Sequence, residues 1–280
     1  MCATCGCDDS AGVRVIDPAH PQAHPHEHPH EHDHPQGHPH EHPQGHPHEH
    51  PHGEPTPAAA APRGTITLEQ RVLAKNDQLA TANRRWLTDR GLASVNLMSS
   101  PGSGKTTLLV RTVGDLRAEL GLSVVECDQE TLLDADRLAA TGCRVIQVNT
   151  GSGCHLDADM LRRALIALDP PAPGLVLIEN VGNLVCPALF DLGEQARVVI
   201  ASVTEGADKP LKYPNMFHAA SLVILNKIDL LPYVDFDVDA FVRAVSMVSR
   251  QAPVLQVSAT TGAGLAAWYD WLRGRLPAPS

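Results

Sequence analysis

Residues 99–107 read Ser99-Ser100-Pro101-Gly102-Ser103-Gly104-Lys105-Thr106-Thr107 and lie between two apolar runs, 95–98 and 108–110. An apolar strand, a glycine-rich turn and a Gly-Lys-Thr sequence that opens a helix are together typical of a loop that binds phosphate. The glycines permit the φ values and the close approach of backbone N–H groups that an anion requires. Serine at position 99 replaces the glycine with which the general pattern begins.

This loop predicts a role for each of its polar positions. We expect Lys105 to reach the outer phosphates, where it would take part in catalysis, and the Thr106 hydroxyl to bind Mg²⁺. The positive dipole end of the following helix adds to the attraction for phosphate. The predicted nucleotide-binding residues of the loop are Gly102, Ser103, Gly104, Lys105, Thr106 and Thr107.

Short apolar segments alternate with helical ones along the rest of the chain. The predicted strands are Val95–Met98, Ser123–Glu126, Arg144–Val148, Leu175–Ile178, Val198–Ser202, Leu222–Leu225 and Val254–Val257. Strands of this kind joined by helices form parallel sheets that are covered on both faces. We therefore predict an α/β fold with a mainly parallel seven-stranded sheet flanked by helices, and ligands at the carboxyl ends of the strands.

Two acidic positions follow predicted strands at that edge. Asp128 is expected to hold Mg²⁺ or its waters, or to orient an attacking water, and it also suits a helix N-cap. Glu179 occupies the place of a second acidic residue near the ion. Gly182 would let a backbone N–H turn toward the γ-phosphate. The predicted catalytic residues are Lys105, Asp128 and Glu179, and Thr106 joins the two acids as a predicted Mg²⁺ ligand.

The sequence Asn226-Lys227-Ile228-Asp229 directly follows the sixth predicted strand. The Asp229 carboxylate can accept hydrogen bonds from both N1–H and N2–H of guanine, and adenine lacks that pair of donors. We expect the Lys227 stem to lie along the base and Asn226 to fix the loop. Backbone N–H groups at Ser258 and Ala259, after the seventh strand, would meet the guanine oxygen. Residues 65–280 are thus predicted to form a P-loop GTPase domain.

A candidate metal site lies on two loops at the same edge of the sheet. Cys154 and His155 follow the third predicted strand, and Cys186 lies four residues beyond Gly182. One imidazole and two thiols are suitable ligands for a nickel or zinc ion, with water or a second subunit completing the coordination. Taken singly, each cysteine is more often a small buried residue than a ligand. The cysteine-rich terminus and the histidine tract of the same chain favour the metal site.

The N-terminus carries three further cysteines within six residues, Cys2, Cys5 and Cys7. Together with the terminal amine they could bind one soft cation, and such an N,S site suits square-planar nickel, although tetrahedral zinc is possible. We take residues 1–7 as a metal-binding motif. The alternative is a frayed terminus with incidental cysteines.

All but two of the 16 histidines lie between His20 and His52, and His-Pro-His-Glu-His occurs four times, from His24, His28, His38 and His46. The frequent prolines prevent helix and sheet, so residues 8–64 are predicted to be a disordered metal-binding tract and linker. Imidazoles in such a tract bind divalent ions weakly and reversibly. We interpret it as a metal reservoir, against the alternatives of a purification tag or a solubilising linker. A helix is predicted from Thr67 to Arg90.

Composition excludes several other classes of protein. The net charge is −10 with histidine neutral, which argues against nucleic acid as a partner. No secretion signal and no membrane-spanning run is recognisable, so we expect a cytoplasmic protein with no membrane partner. In that reducing compartment the seven cysteines are better explained as ligands or free thiols than as disulfides.

In combination, these motifs resemble the nickel-incorporation GTPases of [NiFe]-hydrogenase maturation, the HypB family. The resemblance covers residues 1–7 and about 70–275. It rests on the terminal cysteines, the histidine tract, the loop at 99–107, and the segments 126–128, 154–157, 179–187 and 226–229. It also accounts for Ser99, since the family is similar there.

The resemblance implies a high-affinity nickel site at Cys2, Cys5 and Cys7, and a nickel or zinc site at Cys154, His155 and Cys186. It further implies GTP-dependent homodimerisation, a small zinc-containing partner that passes nickel on, and the hydrogenase large-subunit precursor as the final recipient. GTP, Mg²⁺, Ni²⁺ and Zn²⁺ are the implied ligands. Other interpretations are a urease-type nickel GTPase, a nickel storage protein, and a regulatory GTPase with incidental metal binding.

Overall fold

A computed structural model of the chain describes residues 14–18, 63–128, 132–150, 153 and 155–276. Within these ranges, eight strands form one sheet. They are β1 (Arg14–Ile16), β2 (Leu92–Ser99), β3 (Leu122–Asp128), β4 (Arg144–Asn149), β5 (Gly174–Glu179), β6 (Ala196–Ser202), β7 (Leu222–Asn226) and β8 (Val254–Gln256).

The helices of the same ranges lie between the strands. They are α1 (Arg63–Asp89), α2 (Lys105–Leu116), α3 (Leu133–Ala139), α4 (Ala158–Leu168), α5 (Cys186–Leu189), α6 (Lys209–Lys212), α7 (Pro214–His218), α8 (Val238–Val248) and α9 (Leu265–Arg273). A 3-10 helix, Ile228–Tyr233, follows β7. No helix in the described ranges is both long and apolar enough to cross a membrane.

The sheet confirms the predicted α/β class and its mainly parallel character. The strand order is β1-β4-β3-β5-β2-β6-β7-β8, and β2 to β8 pair in parallel. All seven predicted strands are present. The eighth, β1, pairs antiparallel with the outer edge of β4. It lies within residues 8–64, for which the sequence predicted no strand, because three residues carry too short a pattern to be recognised.

The apolar core lies on both faces of the sheet because successive strand residues point to opposite sides. On β3, Val124 belongs to the cluster that includes residues of α2, α3 and α9, whereas Val125 belongs to the cluster that includes residues of α1 and α4. A third cluster around Phe217 and Phe241 covers the β6–β7 end of the sheet. The two covered faces leave the carboxyl edge of the strands as the place where loops converge.

Helix α1 crosses one face and is fixed there by two buried asparagines. The Asn76 side chain donates to the Asp191 carbonyl and accepts from the Ala158 N–H. The Asn83 amide donates to the carbonyls of Ala158 and Leu192. Helix α1 ends at Asp89, and Gly91 follows with φ 65°, in agreement with the glycine stop signal of the sequence.

Candidate functional site

The phosphate-binding loop joins β2 to α2 and has the predicted backbone form. Gly102 and Gly104 adopt φ values of 75° and 93°, in the left-handed region that favours glycine. A Cβ atom on Gly104 would lie 2.5 Å from Nδ2 of Asn226. Only a hydrogen atom fits there. Position 104 therefore requires glycine for two reasons, its positive φ and the lack of space for a Cβ atom.

A cleft of 530 Å³ opens above this loop at the carboxyl edge of the sheet. It is lined by Ser99, Ser100, Pro101, Gly102, Ser103, Gly104, Lys105, Thr106, Thr107, Glu126, Cys127, Asp128, Asp134, Arg137, Glu179, Val181, Gly182 and Lys227. The structure thus brings together the predicted loop residues, both predicted acids and the Gly182 segment.

Lys105 and Thr106 start α2 and face the acidic side of the cleft. The Lys105 ammonium donates to Glu179 Oε1 at 3.1 Å. The Thr106 hydroxyl lies 2.6 Å from the same oxygen and 2.8 Å from Asp134 Oδ2. A hydroxyl has one hydrogen and can donate to only one of these carboxylates at a time. The Thr106 hydroxyl therefore faces more acceptor oxygens than it can satisfy.

Glu126 increases this excess of acceptors. It is the register partner of Glu179 on the neighbouring strand, and it is 2% exposed. Burial, together with the charges of Glu179 and Asp128, raises the pKa of Glu126 to about 9, while Lys105 acts in the opposite direction. Within the described residues, Oε2 of Glu126 and Oε2 of Glu179 are buried without a hydrogen-bond partner.

This arrangement fits a divalent cation with oxygen ligands. Mg²⁺ prefers carboxylate and hydroxyl oxygens, and it would neutralise a cluster in which Lys105 faces several carboxyl groups. Thr106, Asp128 and Glu179 are the residues predicted to hold it, and Glu126 offers a further oxygen. When bound with a nucleotide, such an ion neutralises charge on the phosphates.

The Asn226-Lys227 segment braces the phosphate-binding loop from the other side. The Asn226 amide donates to the Ser103 carbonyl at 2.9 Å, and its oxygen accepts from the Ala259 N–H. Lys227 has φ 63° and donates to the Gly102 carbonyl at 2.6 Å. The residues predicted to read the base are therefore tied directly to those predicted to hold the phosphates.

The predicted base-reading residues lie on two adjacent loops. Asp229 lies in the 3-10 helix after β7, and Ser258 and Ala259 follow β8. The loops are joined where the Ile228 N–H donates to the Val257 carbonyl. The Ser258 N–H donates to Ala263 and the Ala259 N–H to Asn226. Both amides predicted to meet a base oxygen are thus engaged within the protein.

The loop after β5 lies against the phosphate-binding loop. A Cβ atom on Gly182 would lie 3.2 Å from Cα, Cγ and N of Pro101. Glycine thus allows the two backbones to approach closely. Four residues further on, Cys186 begins α5, and the N–H groups of Val185 and Cys186 donate to the Asn183 side chain.

The predicted metal site is only partly described. Cys154 and the N-terminal cysteines Cys2, Cys5 and Cys7 lie outside the described residues. The His155 ring stacks on Phe190 with 3.9 Å between ring centroids, and Phe190 directly follows the helix that Cys186 begins. The structure thus places His155 beside the end of α5. Among the described residues no three His, Cys, Asp or Glu side chains form a ready-made metal-binding group. The same holds for the carboxylates of the cleft, where the Thr106 hydroxyl and the phosphate oxygens of a bound nucleotide would have to complete the coordination of Mg²⁺.

Burial shifts the pKa values of His155, Cys127 and Cys143. It lowers the pKa of the His155 imidazole, which favours the neutral ring that a metal ligand requires. It raises the pKa of the Cys127 thiol, which is 3% exposed between the cleft and the core. Cys143 is half-buried, and burial raises its pKa to about 11.

Several residues in the cleft or next to it were missed by the sequence analysis. Glu126 could have been found, because a glutamate inside an apolar strand is unusual. Glu205 gave no such signal, although its carboxylate accepts from Ser100 at 2.5 Å and pairs with Lys209 at 2.7 Å. Arg137 pairs with Asp134 and lines the cleft. Their roles depend on loops that come together only in the fold.

Comparison with known proteins agrees with this geometry. A family model described as "CobW/HypB/UreG, nucleotide-binding domain" matches residues 93–256. The chain is 54% identical over 207 residues to hydrogenase maturation factor HypB of Rhizobium leguminosarum bv. viciae, which covers 74% of this chain and 69% of that relative.

Two solved structures are similar throughout their length. The crystal structure of hydrogenase maturation factor HypB from Archaeoglobus fulgidus has a TM-score of 0.67 at 39% identity, over 72% of this chain and 98% of that one. The crystal structure of HypB from Helicobacter pylori in complex with nickel has a TM-score of 0.67 at 36% identity, over 74% of this chain and 99% of that one.

Proposed function

This chain belongs to the CobW/HypB/UreG family and, within it, to the HypB hydrogenase maturation factors, and from that premise we propose that it is a GTP-hydrolysing nickel metallochaperone. It stores nickel and delivers it for maturation of the [NiFe]-hydrogenase large subunit. The observation that carries this proposal is a phosphate-binding cleft whose Gly182 loop continues directly into Cys186.

The nucleotide in this proposal is GTP with Mg²⁺. Gly102 to Thr107 surround the phosphates, and Thr106, Asp128 and Glu179 hold the ion. Asp229 selects guanine through two hydrogen bonds to the base. The support for this assignment is the convergence of these side chains with the excess of unsatisfied carboxylate oxygens beside Thr106.

Hydrolysis is proposed to be slow in the absence of a partner. Lys105, Asp128 and Glu179 position the outer phosphates, the ion and the attacking water. Arg137 lies at the cleft, but its guanidinium is paired with Asp134 at 2.9 Å. A positive charge held in this way supplies less stabilisation to the transition state than one that is directed at the phosphates.

Nickel is the cargo, and we assign it to two sites. Cys2, Cys5 and Cys7 form the N-terminal site, and Cys154, His155 and Cys186 form a nickel or zinc site beside the nucleotide. Because the Gly182 loop leads into Cys186, a nucleotide that moves this loop also moves a metal ligand. A tenfold change in metal affinity requires about 1.4 kcal/mol of coupling.

The proposed partners follow from the same family. They are a second copy of the chain in the GTP state, a small zinc-containing protein that accepts nickel, and the hydrogenase large-subunit precursor. No nucleic acid or membrane partner is proposed. We assign the protein to the cytoplasm, and the thiols of Cys127 and Cys143, which form no disulfide, are compatible with that reducing compartment.

One pair of measurements tests the proposal. In cells that lack this protein, hydrogenase activity and nickel content of the enzyme should fall, and excess nickel should restore part of both. In vitro, the nickel binding that is lost in a Cys154→Ala/Cys186→Ala variant should differ in affinity between GDP and a GTP analogue. Undiminished hydrogenase activity would contradict the delivery role, and equal affinities would contradict the coupling.

A further inference from the structure

Asn180 lies where the nucleotide loop, the His155 loop and β2 meet. It directly follows Glu179 at the end of β5, and its side chain is buried with 1% exposed. Its own backbone N–H donates to the Leu97 carbonyl of β2. A carboxamide in this position has one acceptor oxygen and two donor hydrogens with which to join the surrounding loops.

The Asn180 oxygen connects two loops at once. It accepts from the N–H of Val181 at 3.0 Å and from the N–H of Leu156 at 3.3 Å. Val181 lines the nucleotide cleft. The Leu156 N–H belongs to the peptide group that follows His155. One oxygen atom therefore links the backbone of the nucleotide loop to the backbone beside a predicted metal ligand.

The other end of the carboxamide fixes its orientation. Nδ2 of Asn180 donates to Oδ1 of Asn96 at 3.3 Å, and Nδ2 of Asn96 donates to Glu194 at 3.2 Å. Asn96 lies in β2, just before the phosphate-binding loop. Because Asn96 presents its oxygen to Asn180, only a side chain with both a donor and an acceptor satisfies all of these groups.

The geometry makes this link sensitive to small movements. Gly182 packs against Pro101, so a nucleotide that draws the Gly182 backbone inward displaces Val181 with it. The bond to Leu156 is already at 3.3 Å, and an increase of about 0.3 Å takes it out of hydrogen-bonding range. Breaking it leaves a buried N–H unpaired, because Leu156 is fully buried.

We propose that Asn180 is a positioning residue that transmits the state of the nucleotide to the His155 loop. The covalent chain from Gly182 carries the movement to Cys186, and the Asn180 carboxamide carries it to the peptide group of His155. The two predicted ligands thus respond together, although they lie on separate loops. This inference rests on the proposed function, since it requires the cleft to bind a guanine nucleotide.

The experiment measures hydrogen exchange of the full-length protein without nickel, with Mg²⁺ and either GDP or a non-hydrolysable GTP analogue. We expect the exchange rate of the Leu156 amide to differ about tenfold between the two states, which corresponds to about 1.4 kcal/mol. In Asn180→Leu, which has a similar volume and no polar atoms, the difference should fall below about twofold. Slower exchange of the α2 amides in the presence of nucleotide shows that each variant still binds it.

Asn83→Leu provides the matched control. Asn83 is equally buried and bonds to the carbonyl of Ala158, the first residue of α4 after the His155 loop, but its hydrogen bonds go to Ala158 and Leu192 and not to Val181. It should lose a similar amount of stability and retain the nucleotide-dependent difference at Leu156. Asn180→Ser gives a second test if the leucine variant does not fold, because the shorter side chain cannot reach Leu156.

Each outcome decides the inference. A difference at Leu156 that is lost in each Asn180 variant that folds and kept in Asn83→Leu supports it. No difference in the unmodified protein, an undiminished difference in the Asn180 variants, or an equal loss in Asn83→Leu overturns it. GTP hydrolysis and nickel binding of the unmodified protein are measured in parallel, so failure of the proposed function is recognised separately.

Discussion

The proposed preference for guanine over other bases depends on a single carboxylate, that of Asp229. The 3-10 helix that carries it begins after Lys227, whose left-handed backbone turns the chain at the end of β7. Since Lys227 is bonded to the Gly102 carbonyl, Asp229 keeps a fixed position relative to the phosphate-binding loop. A change of this side chain should alter which base is accepted without disturbing the phosphates.

We predict that Asp229→Asn weakens GTP binding by roughly two orders of magnitude, about 3 kcal/mol, because two hydrogen bonds to a charged acceptor are replaced. The amide group can instead pair with xanthine, which has an oxygen where guanine has an amino group. Competition binding with GTP, XTP and ATP checks this. Unchanged GTP affinity in Asp229→Asn would show that the base binds elsewhere.

Glu126 gives the metal-free protein a specific dependence on pH. Its pKa in the fold is about 9, above the ordinary value of 4.5, so the folded state binds the proton more tightly than the unfolded state. The free energy of unfolding therefore decreases as the pH rises from about 4.5 to 9. Added Mg²⁺ favours the ionised carboxylates and should reduce this loss.

We predict that Glu126→Gln, which mimics the protonated acid, raises the stability of the metal-free protein at pH 8 by about 1–3 kcal/mol and flattens its pH dependence. Chemical denaturation in EDTA at several values between about pH 5 and about pH 9 measures the effect. This range covers most of the interval between the ordinary pKa of Glu126 and its pKa in the fold. Glu119→Gln is the control, because that carboxylate lies on the surface beside Arg273. The same slope in Glu126→Gln and in the unmodified protein would refute the assignment.

At the scale of elements, β1 closes an edge of the sheet that would otherwise be open. Its Val15 is opposite Val148 of β4 and packs against the α1–α4 side of the core. An unpaired strand edge presents free N–H and C=O groups and invites pairing with other chains. The short strand therefore protects β4.

We predict that Val15→Asp/Ile16→Asp detaches this strand. The amides of Gln147 and Asn149, which face β1, should exchange faster with solvent. The protein should lose about 1 kcal/mol of stability, since two partly buried side chains and a short ladder are lost. Hydrogen exchange and denaturation measure both. Met247→Asp, at a position that is 76% exposed on α8, serves as the control. Unchanged exchange in β4 would contradict the pairing.

The sequence was informative wherever the pattern was local. All seven strands of the parallel sheet and the loop at 99–107 could be predicted, because apolar runs and glycine-rich turns are encoded by neighbouring residues. The pairing of β1 could not, since three residues acquire their strand character from the β4 edge. The same holds for Glu205 and Asn180, whose partners lie about a hundred residues away or on another loop.

At the scale of the whole molecule, the net charge of −10 opposes self-association. A dimer that forms only with GTP must gain enough contact to overcome this repulsion, and salt screens the repulsion over about 10 Å at moderate ionic strength. The proportion of dimer should therefore depend on the salt concentration.

We predict that the protein sediments as a monomer with GDP and as a dimer with a GTP analogue, and that added salt shifts the balance further toward the dimer. Sedimentation velocity at several salt concentrations checks this. In Asp229→Asn, GTP analogue should no longer drive association at concentrations that suffice for the unmodified protein. A single species in both nucleotide states would contradict the prediction.

Strand β1 fixes Pro18 beside one edge of the sheet, and Arg63 begins α1 on the same domain. The covalent chain between these two positions therefore starts and ends on the domain, and undocking of β1 would release one of the two attachment points. Any ligand that binds more tightly when β1 is docked would stabilise the pairing of β1 with β4, and by reciprocity docking of β1 would raise the affinity for that ligand.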